Sequence, residues 1–198
     1  SDEVPAYVAV KGRLSNVAHM LMCYPALLMG SRFVDEGMRH PDIPRLLRHF
    51  WNLDASRLVD PPSGYSVEAF TEKVIERFAN PAIKDQLTRV AHDGASKIVV
   101  FHGKTIVQLI ANGGDLTREA FLIACFERYL RGIDDEGVPF DVNEPHIGSA
   151  DWAKLRGGDP LAVLDIEAFR GFGLRGSPRF VAAYQSVAKQ LASQGTAA

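Results

Sequence analysis

Lys11-Gly12-Arg13-Leu14-Ser15-Asn16-Val17-Ala18-His19, running on into Met20-Leu21-Met22-Cys23, is the stretch on which the reading of this chain turns. It reads as a mostly apolar helix. At about 100° per residue, Asn16 lies roughly 140° and His19 roughly 80° from Lys11, spread over about 12 Å of axis. Leu14, Val17 and Ala18 occupy other directions. The helix therefore carries a potential base, an amide and an imidazole within one broad face. Such a trio can take a proton from an alcohol and hold the oxygen left behind. The same residue types also occur on ordinary half-exposed helices, so spacing alone leaves both readings open.

Outward from this run, helices dominate. Asn80-Pro81, Asp159-Pro160 and Ser177-Pro178 each set a capping side chain before a proline, which predicts a helix start. Ser66 before Val67-Glu68 and Thr117 before Arg118-Glu119 predict two more, each with an acid at the positive helix end. Phe70, Val74, Ile75 and Phe78 have the spacing of a buried helical stripe. So do Phe121, Cys125, Phe126 and Tyr129, and later Val181, Tyr184, Val187 and Leu191. Ile98-Val99-Val100-Phe101 has strand propensity but no partner run, and is read as the start of a helix toward Leu109. Breaks fall at Asp60-Pro61-Pro62-Ser63-Gly64, Asn112-Gly113-Gly114-Asp115 and Arg156-Gly157-Gly158. Gly137 to Asp151 reads as a long connection, and a small polar tail follows from Ser193. The expectation is one mainly α, multi-helical domain over residues 1–198.

With 198 residues, 46% hydrophobic and 23% charged, the chain can bury a sizeable core. A net charge of -2 gives no general attraction to nucleic acid. The uncharged stretch from Val17 to Ser31 is too short and too interrupted for a membrane span. No basic leader precedes an apolar core, so no secretory signal is expected. Cys23 and Cys125 sit far apart in apolar surroundings and read as buried free thiols of a cytoplasmic protein. His40, His49, His92, His102 and His146 lack zinc-ligand spacing, and no metal is expected. His92 beside Asp93 reads as a helix-surface pair or an oriented base. Gly171-Phe172-Gly173-Leu174-Arg175-Gly176 matches G-x-G-x-x-G, yet no βαβ unit surrounds it. It reads as a turn between two helices.

Two blocks carry a resemblance. Lys11-x-x-x-x-Asn16-x-x-His19, with Arg13-Leu14 inside it, is similar to the signature of the polyol-specific long-chain dehydrogenases, the family of mannitol 2-dehydrogenase and D-arabinitol 4-dehydrogenase. Arg77-Phe78-Ala79-Asn80-Pro81, followed by Arg89-x-x-x-Asp93-Gly94-x-x-Lys97, resembles the family's second block. Arg128-Tyr129-Leu130-Arg131-Gly132, with Asp134 and Asp135 behind it, is a weaker echo. The resemblance runs from about Val4 to about Phe172. One departure is plain: the family commonly reads Leu-Asn-Gly-x-His-Ser where this chain has Ser15-Asn16-Val17-Ala18-His19-Met20.

The resemblance implies the C-terminal, substrate-binding half of a two-domain dehydrogenase whose Rossmann half is absent from this chain. It implies Lys11 as general base, with Asn16 and His19 stabilising the developing alkoxide. It also implies Arg89 and Lys97 as contacts to the remaining hydroxyls, about 80° apart if one helix runs through Gly94. NAD would be held mainly by an N-terminal Rossmann domain of the same protein, and the reaction would need no metal. The substrate would be a sugar alcohol, D-arabinitol or D-mannitol, or the matching ketose. A hexuronate reductase of the same family and a helical binding or oligomerisation module without chemistry are the alternatives.

Overall fold

The computed structural model describes residues 10–55, 58 and 61–196. Among these residues there are nine α-helices, here α1 (Val17–Leu28), α2 (Val34–Arg39), α3 (Asp42–Phe50), α4 (Val67–Phe78), α5 (Leu87–Ala91), α6 (Gly94–Ala111), α7 (Thr117–Tyr129), α8 (Ser149–Arg156) and α9 (Pro178–Gln194). Two π-helical turns, Gly12–Asn16 and Trp51–Ala55, and two 3₁₀ segments, Ala162–Asp165 and Glu167–Phe172, complete the list. No strand occurs among the described residues, only isolated bridges at Phe33–Gln86 and Ile133–Pro139. The mainly α reading holds, and Ile98–Phe101 lies inside α6.

The fold is organised around α1. Every residue of this helix except His19 is buried, as expected of a helix apolar on all sides. Helices α2, α3, α5, α6 and α7 pack around it, and α9 closes over α7. His19 is thus the one side chain of this core helix that is not fully buried, held half-buried at its edge. No helix among the described residues is long and apolar enough to cross a membrane. Cys23 and Cys125 are buried free thiols.

Caps explain where several helices begin. Ser66 Oγ accepts from Ala69 N at 3.1 Å, and Ser177 Oγ from Phe180 N at 3.3 Å, as the sequence predicts. The other two proline starts are not α-helices. Asn80 Oδ1 accepts from Ala82 N at 3.0 Å, and Asp159 Oδ1 from Leu161 N at 2.9 Å. Each side chain bonds the backbone two residues on and folds a turn in competition with the helix. Thr117 is the first residue of α7 rather than its cap. Its N–H and hydroxyl both donate to Asp115 Oδ1, at 2.9 and 2.7 Å. The connection after Gly137 is shorter than expected, because α8 begins at Ser149. The polar tail is partly helical, since α9 reaches Gln194.

The glycine-rich segment lies between the second 3₁₀ turn and α9. Phe172 packs so closely on α6 that a Cβ at Gly103 would lie 2.3 Å from its ring. Gly171–Gly176 is therefore tied to a packing contact between segments. Val4, where the resemblance begins, and Asp60 of the predicted break fall outside the described residues.

Candidate active site

The helix carrying the first block does not start as a regular α-helix. Residues Gly12–Asn16 form a π-turn, in which Val17 N–H donates to Gly12 O, one position further back than in an α-helix. This corrects the angular estimate for Lys11 and Asn16. An i→i+5 turn brings residues five apart to the same side, whereas α geometry separates them by roughly 140°. Lys11 and Asn16 accordingly line one cavity of about 280 Å³ with His19, Ser15, Asp35, Arg77, Phe78, Asn80, Ile83 and Asp85. Lys11 is exposed there, and Asn16 and His19 are half-buried.

His19 is held by stacking. Its ring lies 4.1 Å from that of Phe78, at 28°. Burial, and then the positive charge of Arg77, push the imidazole down to about 4. Asp85 opposes this, while Arg89 and Lys97 add to it. At neutral pH His19 is therefore an uncharged imidazole with one N–H to donate. Arg77 donates from Nη2 to Ser15 Oγ at 2.9 Å, and its guanidinium carbon lies 5.5 Å from the Phe78 ring centre.

The second block enters from the other side. An adjoining cavity is lined by Asn16, His19, Met20, Arg89, Val90, Lys97 and Phe101. Asn16 and His19 are common to both cavities, so all five predicted site residues line one continuous neighbourhood. The predicted unbroken helix from Arg89 to Lys97 does not form. α5 ends at Ala91, Asp93 adopts a left-handed conformation with φ 57°, and α6 starts at Gly94. Beside the break Gly94 packs so closely on α1 that a Cβ there would sit 2.1 Å from Tyr24 Oη. Asp93 is paired with His146, whose Nδ1 lies 2.6 Å from Oδ1, rather than with its neighbour His92.

The broken joint is held by Glu144. Its two carboxylate oxygens accept from Gly94 N at 2.8 Å and Ala95 N at 3.0 Å, satisfying two free N–H groups at the start of α6. Burial pushes the Glu144 carboxyl up to about 7, while those N–H groups pull the other way. Across the joint, Lys97 Nζ donates to Val90 O at 3.0 Å. Arg89 is exposed and donates from Nε to Asp85 Oδ1 at 2.9 Å. The two cations thus reach the same cavity from separate helices.

Phe78, Arg77 and Glu144 are site residues for which the sequence suggested no role. The first two lie in the quoted Arg77-Phe78 block, which was the available signal; Glu144 had none. The third block is structural: Arg128 donates to Asp135 Oδ1 and Leu191 O, both at 2.6 Å, and Arg32 to Asp134 Oδ2 at 2.7 Å. Burial pushes the Cys23 thiol up against the opposing charge of Lys97, and its Sγ donates to Met20 O at 3.5 Å. No group of three or more His, Cys, Asp or Glu side chains among the described residues is placed to hold a metal ion. A further cavity, between α1, α3, α7 and α9, holds none of the five residues.

Comparison with known proteins follows the same lines. The family model for the mannitol dehydrogenase C-terminal domain matches residues 3–192. A polyol:NADP oxidoreductase of Gluconobacter oxydans is 35% identical over 171 residues, 86% of this chain and 35% of that protein. A mannitol 2-dehydrogenase of Pyricularia oryzae is 32% identical, over 99% of this chain and 39% of that protein. The crystal structure of a D-sorbitol dehydrogenase in substrate-free form superposes with a TM-score of 0.93 at 31% identity, covering 100% of this chain and 41% of that one. Pseudomonas fluorescens mannitol 2-dehydrogenase, in a ternary complex with NAD and D-mannitol, gives 0.89 at 33% identity, over 99% of this chain and 40% of that one. The chain thus spans well under half the length of these relatives.

Proposed function

This chain belongs to the mannitol dehydrogenase C-terminal domain family, and from that premise we propose that it is the substrate-binding and proton-transferring half of a polyol dehydrogenase. The observation that carries the proposal is the pair of adjoining cavities sharing Asn16 and His19, lined by Lys11 on one side and by Arg89 and Lys97 on the other.

Lys11, in its neutral form, takes the proton of a secondary hydroxyl during oxidation and returns it during ketone reduction. Asn16 donates from its amide and His19 from its neutral ring to the reacting oxygen, stabilising alkoxide character. Lys97, anchored on Val90 O, and Arg89, anchored on Asp85, present the remaining N–H donors to the polyol's other hydroxyls. Two carboxylates, Asp35 and Asp85, line the Lys11 cavity. Each is already paired, Asp35 with Arg39 and Asp85 with Arg89, and the substrate proposed is a neutral polyol, D-mannitol or D-arabinitol.

Gly171–Gly176 does not open a βαβ unit and so lacks the setting of a dinucleotide fingerprint. The hydride acceptor, NAD, is assigned to an N-terminal domain of the same protein. Two buried thiols fit a reducing compartment, the cytoplasm. Kinetics of the protein expressed from its full reading frame test the proposal. Arg89→Ala and Lys97→Ala should each raise KM for the polyol about tenfold or more, the loss of one or two charge-assisted hydrogen bonds. Unchanged KM in both variants would remove these residues from the substrate site.

A further inference from the structure

Residues 13, 14, 15 and 17 are each gripped from distant parts of the chain. Arg13 donates to Leu58 O and, at 3.0 Å, to Gln108 Oε1. The fully buried Trp51 donates its indole N–H to Leu14 O at 2.9 Å. Arg77 holds Ser15 Oγ at 2.9 Å. His102 Nε2 lies 3.1 Å from Val17 O, and its Nδ1 lies 2.8 Å from Glu119 Oε2, both side chains being buried in the core. A carbonyl can only accept, so Nε2 carries a proton. Nδ1 and Glu119 then share one more, as imidazolium with carboxylate or imidazole with carboxylic acid.

These grips coincide with the π-turn, an irregularity that α-helices adopt mostly at functional positions. A helix relaxing to α geometry here would move Lys11 and Asn16 apart by roughly 140° about the axis. The donors from Trp51 and His102 bind carbonyls within and just after the widened turn, and relaxation would pull those carbonyls off their buried partners. A buried donor left unpaired costs about 1–3 kcal/mol. We propose that Trp51 and His102 are positioning residues that hold the π-turn in register, and so keep Lys11 on the same side of the site as Asn16 and His19. The proposal rests on the dehydrogenase reading above.

The test uses the full-length enzyme and two variants. Trp51→Phe removes the indole N–H and keeps a ring in the core. The pair His102→Leu with Glu119→Leu removes the second clamp without stranding a buried charge. Displacing a base by about 1 Å costs about 10²-fold, so kcat should fall about 10- to 100-fold in both, with polyol KM within about twofold. Val187→Ala, a core truncation in α9 away from the π-turn, should lose stability but keep kcat. Variants with kcat near wild type, or with a raised KM alone, would overturn the proposal. Wild-type enzyme that oxidises no polyol would instead sink the dehydrogenase reading. Hydrogen exchange at the amides of Asn16, Val17 and Ala18 then reads the clamp separately. Faster exchange in Trp51→Phe supports it, and unchanged exchange overturns it.

Discussion

Replacing His19 by phenylalanine should remove a defined acid weakness of the fold. Burial against Phe78, with the charges of Arg77, Arg89 and Lys97 adding to it, pushes the imidazole from an ordinary 6.5 down to about 4. The unfolded chain binds a proton at His19 below about pH 6.5, whereas the folded protein does not until about pH 4. The contribution to stability is therefore complete above pH 6.5 and declines as pH falls through this window. At about 1.36 kcal/mol per pH unit, the decline amounts to about 3 kcal/mol. Phenylalanine keeps a ring for the stack and has nothing to protonate. Urea unfolding of wild type and His19→Phe, at about pH 7 and about pH 4, measures the difference directly. The difference between variants is the informative quantity, because Glu144 runs in the opposite sense over nearly the same range. Wild type should lose about 3 kcal/mol more than the variant between the two pH values. Equal losses would show that His19 is solvated or charged, and the neutral-donor role would fall with it.

Glu144, pushed up to about 7, stays protonated in the folded state while the unfolded carboxyl has already ionised. It therefore lowers stability as pH rises from about 4.5 to about 7. Glu144→Gln should flatten that decline in urea unfolding, and an unchanged slope would refute the burial argument. Gly94→Ala places a Cβ 2.1 Å from Tyr24 Oη and 2.8 Å from Phe126 Cε2. It should destabilise the fold by about 1–3 kcal/mol or more, seen as a lowered Tm; an unshifted Tm would mean that the joint is slack.

The helical class was legible because the stripes at Phe70–Phe78 and Val181–Leu191 bury one face each, while Phe121–Tyr129 lies in a helix buried on nearly all sides. The site was legible as a set of residues but not as a geometry. Lys11, Asn16 and His19 meet one cavity through a π-turn, which no 100° periodicity describes. Arg89 and Lys97 meet through a break at Asp93-Gly94 rather than along one helix. The contacts that hold this joint are long-range, since Tyr24 and Glu144 lie far from Gly94 in sequence. The failed starts at Asn80 and Asp159 have a local cause instead, side-chain bonding that outcompeted the helix the prolines suggested. Phe78, which supports His19 from another helix, belongs to the same class of contacts that only tertiary structure supplies.

The central claim is that Lys11 is the base. Its most direct test is the kcat of polyol oxidation, across pH, for wild-type and Lys11→Ala forms of the full-length enzyme. A positioned acid–base group contributes about 10²- to 10⁴-fold, so kcat should fall by that order. The limb on which wild-type activity rises as the base loses its proton should disappear or move, with affinity for the nicotinamide cofactor little changed. A variant that keeps near-normal kcat and the same limb would contradict the account and place the base on another residue.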